Sequence, residues 1–447
     1  VIYCINYKRS NQTFSVETSL STLFFREETM KKLLIAVLCL MLTGCAAPAP
    51  SDGSGPDRSV SPDIPAPSPA ASSAPNGESG PPQASPETDP ETAENPSASQ
   101  EPSESSLGPQ NQEQIIQELL SAMTLEEKVG QMFFVRCPET GGAELAAQYK
   151  VGGYLLFGRD FKDKTAQQVR DDIQSYQDAS GIPLLIGTDE EGGTVVRASS
   201  NPDLFPQREP APQTLFAQGG MDLILQDARQ KSMTLLDLGV NVNFAPVADV
   251  STDPADFIYA RSFGQDAQAT ANYVAQVVGV MGEEQIGSVL KHFPGYGNNV
   301  DTHTGIALDQ RPYETFQTSD FLPFQAGIQA GADAVLVSHN IPASMDESLP
   351  ASLSPTVHKI LREELGFDGV VLTDDLAMDA VMEYAQNGSA AVLAIQAGND
   401  MVVTTDFQTQ IPQVIHAVQS GVIAESQIDQ AVTRVLNWKY ELGLLGN

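Results

Sequence analysis

The densest group of residues able to carry chemistry lies in residues 291–305, which read KHFPGYGNNVDTHTG. Lys291, His292, Asp301 and His303 bring two titratable rings, a cation and a carboxylate into one short segment. Its prolines and glycines favour an irregular backbone, and the apolar run before it is typical of a buried strand. We therefore expect these polar side chains to form a functional site where that strand ends.

A second candidate is the pair Asp374 and Asp375, which follows the apolar run Val370–Thr373. Asp374, at the end of the predicted strand, is expected to point towards a site. Asp375 is expected to turn towards the next helix, where a carboxylate caps the N-terminus or meets the helix dipole favourably. The alternative is that both carboxylates only cap the helix.

Short apolar runs that could position these groups recur between residues 112 and 447, separated by stretches of helical period. The runs are Met132–Val135, Gly153–Phe157, Pro183–Thr188, Val240–Pro246, Ser288–His292, Ala334–Ser338, Val370–Thr373 and Asp400–Thr404. Their number and alternation predict an α/β fold, a (β/α)8 barrel of the TIM type, with a doubly wound open sheet as the alternative. Polar residues follow the runs at Asp189, Asp249, Lys291, His292, His339 and Asp374. In a barrel these positions converge on one face, where catalytic groups collect.

The N-terminal part of the sequence predicts targeting rather than a fold. We interpret residues 1–29 as translated upstream sequence and residues 30–44 as a signal peptide, with a basic start and an apolar run too short to span a bilayer. The run ends in a lipobox whose Cys45 would carry a lipid anchor; a plain secretory signal is the alternative. Residues 45–111 contain no aromatic residue and are rich in proline, serine and acidic types, which predicts a disordered linker. We expect residues 112–447 to form one catalytic domain outside the cytoplasmic membrane.

The composition narrows the possible partners. The formal net charge of −33 argues against nucleic acid and anionic lipid as ligands and favours a neutral one. Removal of the signal peptide and lipidation of Cys45 would leave Cys137 alone, which predicts no intrachain disulfide. The sequence has no cluster with metal-ligand spacing and no dinucleotide-binding loop, so we expect no cofactor.

Seven segments in order resemble glycoside hydrolase family 3, in its single-domain branch of bacterial β-N-acetylhexosaminidases. They are Met123–Met132, Asp189–Gly193, Asn243–Val250, Arg261–Gly264, Lys291–Gly295, Thr373–Leu376 and Lys439–Leu444. The resemblance covers residues 112–447. The chain ends soon after the last segment, which leaves no room for the extra sandwich domain of the β-glucosidase branch and favours a hexosaminidase.

The resemblance implies a retaining mechanism through a covalent glycosyl-enzyme. Asp374 matches the nucleophile. In this branch the acid/base is a histidine oriented by an aspartate two residues before it, here His303 and Asp301. A histidine needs little tuning for this work, because its ordinary pKa lies close to neutral pH. The resemblance also implies sugar contacts from Asp189, Arg197, Arg261, Lys291, His292 and His339.

The sequence thus favours a monomeric exo-β-N-acetylhexosaminidase that removes terminal N-acetylglucosamine from muropeptides or chito-oligosaccharides. Its expected partners are the glycan and, through the lipid anchor only, the membrane. Two alternatives remain open. One is a β-glycosidase or a phosphorylase of the same family, and the other is a lipid-tethered sugar-binding protein without catalysis.

Overall fold

The structure, a computed structural model, divides into two compact units, residues 1–98 and 99–447. The described residues are 8–9, 12–13, 109–299, 307–378, 381, 384 and 389–446. In the first unit, Lys8–Arg9 pairs antiparallel with Gln12–Thr13. The predicted lipidation site Cys45 and the predicted dyad of Asp301 and His303 lie outside the described residues.

The second unit is built on eight parallel strands. They are β1 (Phe133–Arg136), β2 (Gly153–Leu156), β3 (Leu185–Thr188), β4 (Val242–Asn243), β5 (Gly287–Phe293), β6 (Ala334–Val337), β7 (Val370–Thr373) and β8 (Val402–Thr404). Each strand pairs with the next along the chain from β1 to β7, and β8 pairs with β1. A parallel bridge between Leu372 and Met401 brings β7 to β8, so that the sheet curls into a nearly closed barrel.

The predicted barrel is therefore confirmed, and the open-sheet alternative is wrong. Each of the eight apolar runs overlaps one of the eight strands. The largest difference is at β4, where the expected Val240–Pro246 contains a strand of only Val242–Asn243. Pro246 has no N–H to donate to a ladder, and this segment continues as irregular backbone towards the barrel mouth.

Helices surround the barrel and follow most of its strands. They are α1 (Pro109–Ala122), α2 (Leu125–Gln131), α3 (Gly142–Tyr149), α4 (Gly158–Phe161), α5 (Ala166–Ala179), α6 (Pro212–Asp237), α7 (Ala267–Glu283), α8 (Tyr313–Thr315), α9 (Phe321–Gln329), α10 (Pro355–Lys359), α11 (Ala390–Ala397), α12 (Phe407–Gln419) and α13 (Glu425–Glu441). Local chemistry sets several boundaries. Thr124 and Thr165 form capping boxes with Glu127 and Gln168, which satisfies backbone N–H groups at the starts of α2 and α5. Among the described residues, no helix is both long and apolar enough to cross a bilayer.

The barrel interior is a packed apolar core. Side chains alternate along each strand, so in β1 Phe134 faces the interior while Phe133 joins the layer between strands and helices. Phe134 meets Phe244 edge to face, with ring centroids 5.2 Å apart. Gly187 on β3 leaves the space for this pair, because a Cβ there would come within 2.8 Å of both rings. The mouth of the barrel, by contrast, is lined by polar residues.

Candidate active site

A cavity of about 470 Å³ opens at the carboxyl ends of the strands. Its lining includes six of the residues that the sequence predicted for the site: Asp189, Arg197, Arg261, Lys291, His292 and Asp374. These residues are far apart in the sequence and belong to different strand ends and loops. The barrel therefore brings them together as its topology requires.

Lys291 lies at the centre of a buried network of charges. Its Nζ lies 2.8 Å from Asp189 Oδ1 and 2.6 Å from Glu191 Oε1. Glu191 also accepts two hydrogen bonds from the Arg261 guanidinium, at 3.0 and 2.8 Å. Each cation is thus fixed by a carboxylate before any ligand enters, which holds its donors in place for the hydroxyl groups of a sugar.

The pKa of Glu191 shows which effect dominates in this network. Burial alone would raise the pKa of this carboxyl, because the charged form loses its hydration. The positive charges of Lys291 and Arg261 outweigh burial and hold the pKa well below its ordinary value. In the same way Glu191 holds the pKa of Arg261 above its ordinary value against the effect of burial. Glu191 and Arg261 therefore both carry their charge at neutral pH.

His292 is held in one tautomer by its two neighbours. Its Nδ1 lies 2.7 Å from Asp249 Oδ2, and its Nε2 lies 3.0 Å from the Arg261 guanidinium. Arginine can only donate, so Nε2 must accept and the ring proton must lie on Nδ1. Asp249 also accepts the backbone N–H groups of His292 at 3.1 Å and Tyr296 at 2.8 Å. One buried carboxylate thus orients both the ring and the start of its loop.

Arg197 is positioned by a short loop that Glu190 organises. The carboxylate of Glu190 accepts the backbone N–H groups of Arg197 at 2.9 Å and Ala198 at 2.7 Å. The guanidinium of Arg197 then reaches Asp189 Oδ2 at 3.3 Å. Asp189 consequently lies between two cations, Arg197 and Lys291, where its carboxylate oxygens can also accept hydrogen bonds from sugar hydroxyls.

Asp374 follows β7 on a turn that is anchored on several sides. Its backbone N–H donates to Val337 O on β6 at 2.9 Å, and its Oδ1 accepts the N–H of Asp375 at 2.8 Å. The backbone N–H of Leu376, two residues after Asp374, donates to Val403 O on β8 at 2.9 Å. Asp375 accepts the N–H of Ala377 at 2.9 Å and also lines the cavity. No helix that Asp375 could cap begins within the described residues that follow it directly, so its capping role stays a prediction, and Asp374 lines the cavity.

His339 is the predicted sugar-binding residue that the structure places elsewhere. It is fully buried and does not line the cavity. Its Nδ1 lies 2.7 Å from Ser352 Oγ, and its Nε2 lies 3.0 Å from Asp375 O. A carbonyl can only accept, so Nε2 carries a proton and donates. The position of His339 suits it to hold the turn of Asp374 and Asp375 from behind.

Sequence reasoning missed several cavity residues, of which Arg136 and Phe157 stand together. Arg136 is the last residue of β1, and its guanidinium carbon lies 4.3 Å from the centre of the Phe157 ring. Both residues line the cavity. The same strand-end argument that selected Asp189 and Lys291 would have found Arg136, had the first apolar run been extended by one residue. No group of three or more potential metal ligands occurs among the described residues.

Comparison with known proteins agrees with this geometry. Residues 124–438 match the Glycosyl hydrolase family 3 N terminal domain. The chain is 35% identical over 318 residues to a beta-hexosaminidase of Stenotrophomonas maltophilia strain R551-3, covering 68% of this chain and 89% of that protein. A beta-hexosaminidase of Xanthomonas campestris pv. campestris strain B100 is 32% identical over 315 residues, which cover 68% of this chain and 90% of that protein.

Two solved structures have the same fold with comparable identity. The family 3 beta-N-acetylglucosaminidase from Paenibacillus sp. FPU-7 superposes with a TM-score of 0.66 at 30% identity, covering 73% of this chain and 64% of that one. The beta-N-acetylhexosaminidase from Beutenbergia cavernae superposes with a TM-score of 0.61 at 30% identity, covering 70% of this chain and 98% of that one. The chain therefore belongs to glycosyl hydrolase family 3 and is a glycoside hydrolase.

Proposed function

We propose that this chain is a retaining exo-β-N-acetylhexosaminidase that releases terminal N-acetylglucosamine from muropeptides or chito-oligosaccharides. The observation that carries the proposal is the shared cavity. Asp374 lines the same space as the paired cations Lys291 and Arg261 and the carboxylate of Asp189. A neutral pyranose presents mainly hydroxyl groups, and charge-assisted hydrogen bonds are about twice as strong as neutral ones. The names of the relatives supply the choice of N-acetylhexosamine.

The proposed reaction has two displacements. A carboxylate oxygen of Asp374 forms a bond to the anomeric carbon while the bond to the leaving oxygen breaks. His303, oriented by Asp301, gives its proton to that oxygen. In the second step His303 takes a proton from water, whose oxygen attacks the anomeric carbon and displaces Asp374. His303 thereby regains the proton it gave away.

We further propose that the enzyme acts outside the cytoplasmic membrane, held by a lipid on Cys45 and a disordered linker that ends where α1 begins at Pro109 rather than at residue 111. The lipobox and the composition of the linker support this location. The mass of the N-terminal peptide from the native, detergent-extracted protein tests it. A diacylglyceryl group on Cys45 is expected, and an unmodified N-terminus at another residue would contradict the anchor.

The activity is tested by comparing an aryl β-N-acetylglucosaminide with an aryl β-glucoside, each with and without phosphate. We expect hydrolysis of the first substrate only, independent of phosphate. Asp374→Asn should lower kcat by about a thousandfold or more, because it removes the nucleophile. Asp178→Asn, an exposed carboxylate on α5, should retain activity. A phosphate requirement with release of a sugar 1-phosphate would instead identify a phosphorylase, and full activity of Asp374→Asn would exclude the assigned nucleophile.

A further inference from the structure

Arg136 differs from the other cations of the cavity in what it contacts. Lys291, Arg261 and Arg197 each lie within 3.3 Å of a carboxylate oxygen. The guanidinium of Arg136 makes no hydrogen bond or ion pair with any described residue, and its Nε is buried without a partner. It lies instead over the ring of Phe157. The guanidinium of Arg136 is thus the one cation in the described cavity lining that lacks a counterion.

An aromatic ring does not satisfy the hydrogen-bonding N–H groups of a guanidinium. The attraction between the two is modest, and it leaves the N–H donors of the guanidinium unused. A partly buried cation without a counterion is costly, and proteins normally pair such groups. Stacking on Phe157 nevertheless fixes the plane of the fork, which reduces the entropy lost when a ligand binds. The side chain is therefore preorganised for an anion that it does not find within the described protein.

The place of Arg136 in the barrel connects it with the proposed reaction. It ends β1, which pairs with β8, and β8 in turn meets β7 ahead of Asp374. On its other side Phe157 follows β2, and Arg197 reaches over the same ring at 5.2 Å. Arg136 consequently lies on the arc of the mouth between the proposed nucleophile and the carboxylate of Asp189. A group bound there would belong to the sugar in the cavity or to its neighbour.

We propose that Arg136 is a specificity-determining residue that binds an oxyanion carried by the glycan, a carboxylate or a phosphate group. The planar fork of arginine matches both groups with two parallel hydrogen bonds. This inference rests on the proposed function, because it needs a glycan in the cavity. Neutral sugars would still bind through the paired network, and an acidic substituent would add the contact with Arg136.

The test uses a matched pair of substrates on the full chain. One is N-acetylglucosaminyl-β-1,4-N-acetylmuramic acid, and the other is the same disaccharide with its lactyl carboxylate converted to an amide. Wild type is expected to prefer the acid in kcat/KM. In Arg136→Gln the ratio of acid to amide should fall by about ten- to a hundredfold, as expected for loss of a charged hydrogen bond. Arg136→Lys keeps the positive charge but loses the planar guanidinium, so its acid-to-amide ratio should lie between those of wild type and Arg136→Gln.

Arg159→Gln is the matched control, because Arg159 is a nearby arginine that pairs with Glu139 and does not line the cavity. It should leave the ratio at the wild-type value. An unchanged ratio in Arg136→Gln, or no preference in wild type, would overturn the proposal. A third outcome would also overturn it: the acid-to-amide ratio stays constant, but Arg136→Gln abolishes an effect of inorganic phosphate on the neutral aryl substrate. The anion bound by Arg136 would then be free phosphate.

Equilibrium binding separates this inference from the proposed function. Both disaccharides are titrated into Asp374→Asn, with and without Arg136→Gln. Tighter binding of the acid that depends on Arg136 supports the inference even if wild type cleaves neither substrate. Equal affinities for acid and amide overturn it even if hydrolysis is rapid.

Discussion

At the scale of single residues, the site is a set of charges that are paired before substrate arrives. Glu191 pairs with both Lys291 and Arg261, and Asp189 supplies a second negative charge at Lys291, so the two cations lie in a buried place with their donors oriented. Asp249 likewise orients His292, because it accepts the hydrogen bond from Nδ1 and so fixes the tautomer of the ring. Oriented donors cost no reorganisation when a sugar binds, and this preorganisation is a large part of enzymatic catalysis.

Asp249→Asn tests the positioning of His292. An asparagine presents an amide N–H₂ to at least one of the three N–H donors whose hydrogen bonds Asp249 now accepts. We expect kcat/KM to fall by about ten- to a hundredfold, since small displacements of positioned groups have effects of that size. ¹⁵N spectra of the imidazole should show loss of the tautomer protonated at Nδ1. Asp256→Asn changes a carboxylate outside the cavity lining and should leave both readouts unchanged. A reduced rate with an unchanged tautomer would contradict the positioning role.

At the scale of elements, the functional side chains are held where strands of the barrel end or on the loops that follow them. The strands can be short because they are buried on both faces and their interior side chains interlock. Gly187 illustrates the fit, because its missing side chain lets Phe134 and Phe244 meet across the barrel. The packing of the core beneath the cavity therefore sets the position of Asp189, which follows β3, along the barrel axis.

Gly187→Ala is expected to lower the free energy of unfolding by about 1–3 kcal/mol, the usual cost of overpacking a core. Its Cβ would lie 2.7 Å from the Phe244 ring and 2.8 Å from the Phe134 ring, and both rings are buried. The measurement is denaturant unfolding. Gly279→Ala on α7 is the matched control, because a Cβ there meets nothing within 4 Å. The control should be neutral or more stable by about 0.5–1 kcal/mol, and equal losses in both variants would contradict the packing argument.

At the scale of the whole molecule, the last helix closes the end of the barrel opposite the cavity. Trp438 on α13 packs into the interior cluster of the barrel. The neighbouring Lys439 is fully buried and donates to Gln131 Oε1 at 2.6 Å. Burial without a carboxylate lowers the pKa of Lys439 to about 7. The folded chain therefore binds a proton at this site less tightly than the unfolded chain does.

This difference predicts a dependence of stability on pH. Between the folded pKa of about 7 and the ordinary value of 10.5, the unfolded state binds more protons at Lys439, so its contribution to stability rises with pH. The stability of wild type relative to Lys439→Met should increase by about 1.4 kcal/mol per pH unit from neutral pH towards pH 9. The measurement is denaturant unfolding at several pH values. Lys359→Met, at an exposed lysine, should give a constant difference, and parallel curves for Lys439→Met would refute the lowered pKa.

The sequence by itself determined the barrel and the strand ends that carry chemistry. Apolar runs and turns are local signals, and the convergence of strand ends follows from the topology of any such barrel. Only the tertiary structure decided which charges pair. The contact of Lys291 with Asp189 joins residues 102 positions apart, and its geometry depends on the register of the strands between them. The burial of His339 behind Asp375 was equally beyond local patterns, and so was the lack of a counterion for Arg136 among the described residues. Which partner a charged group finds depends on distances in space, and a single sequence does not state those distances.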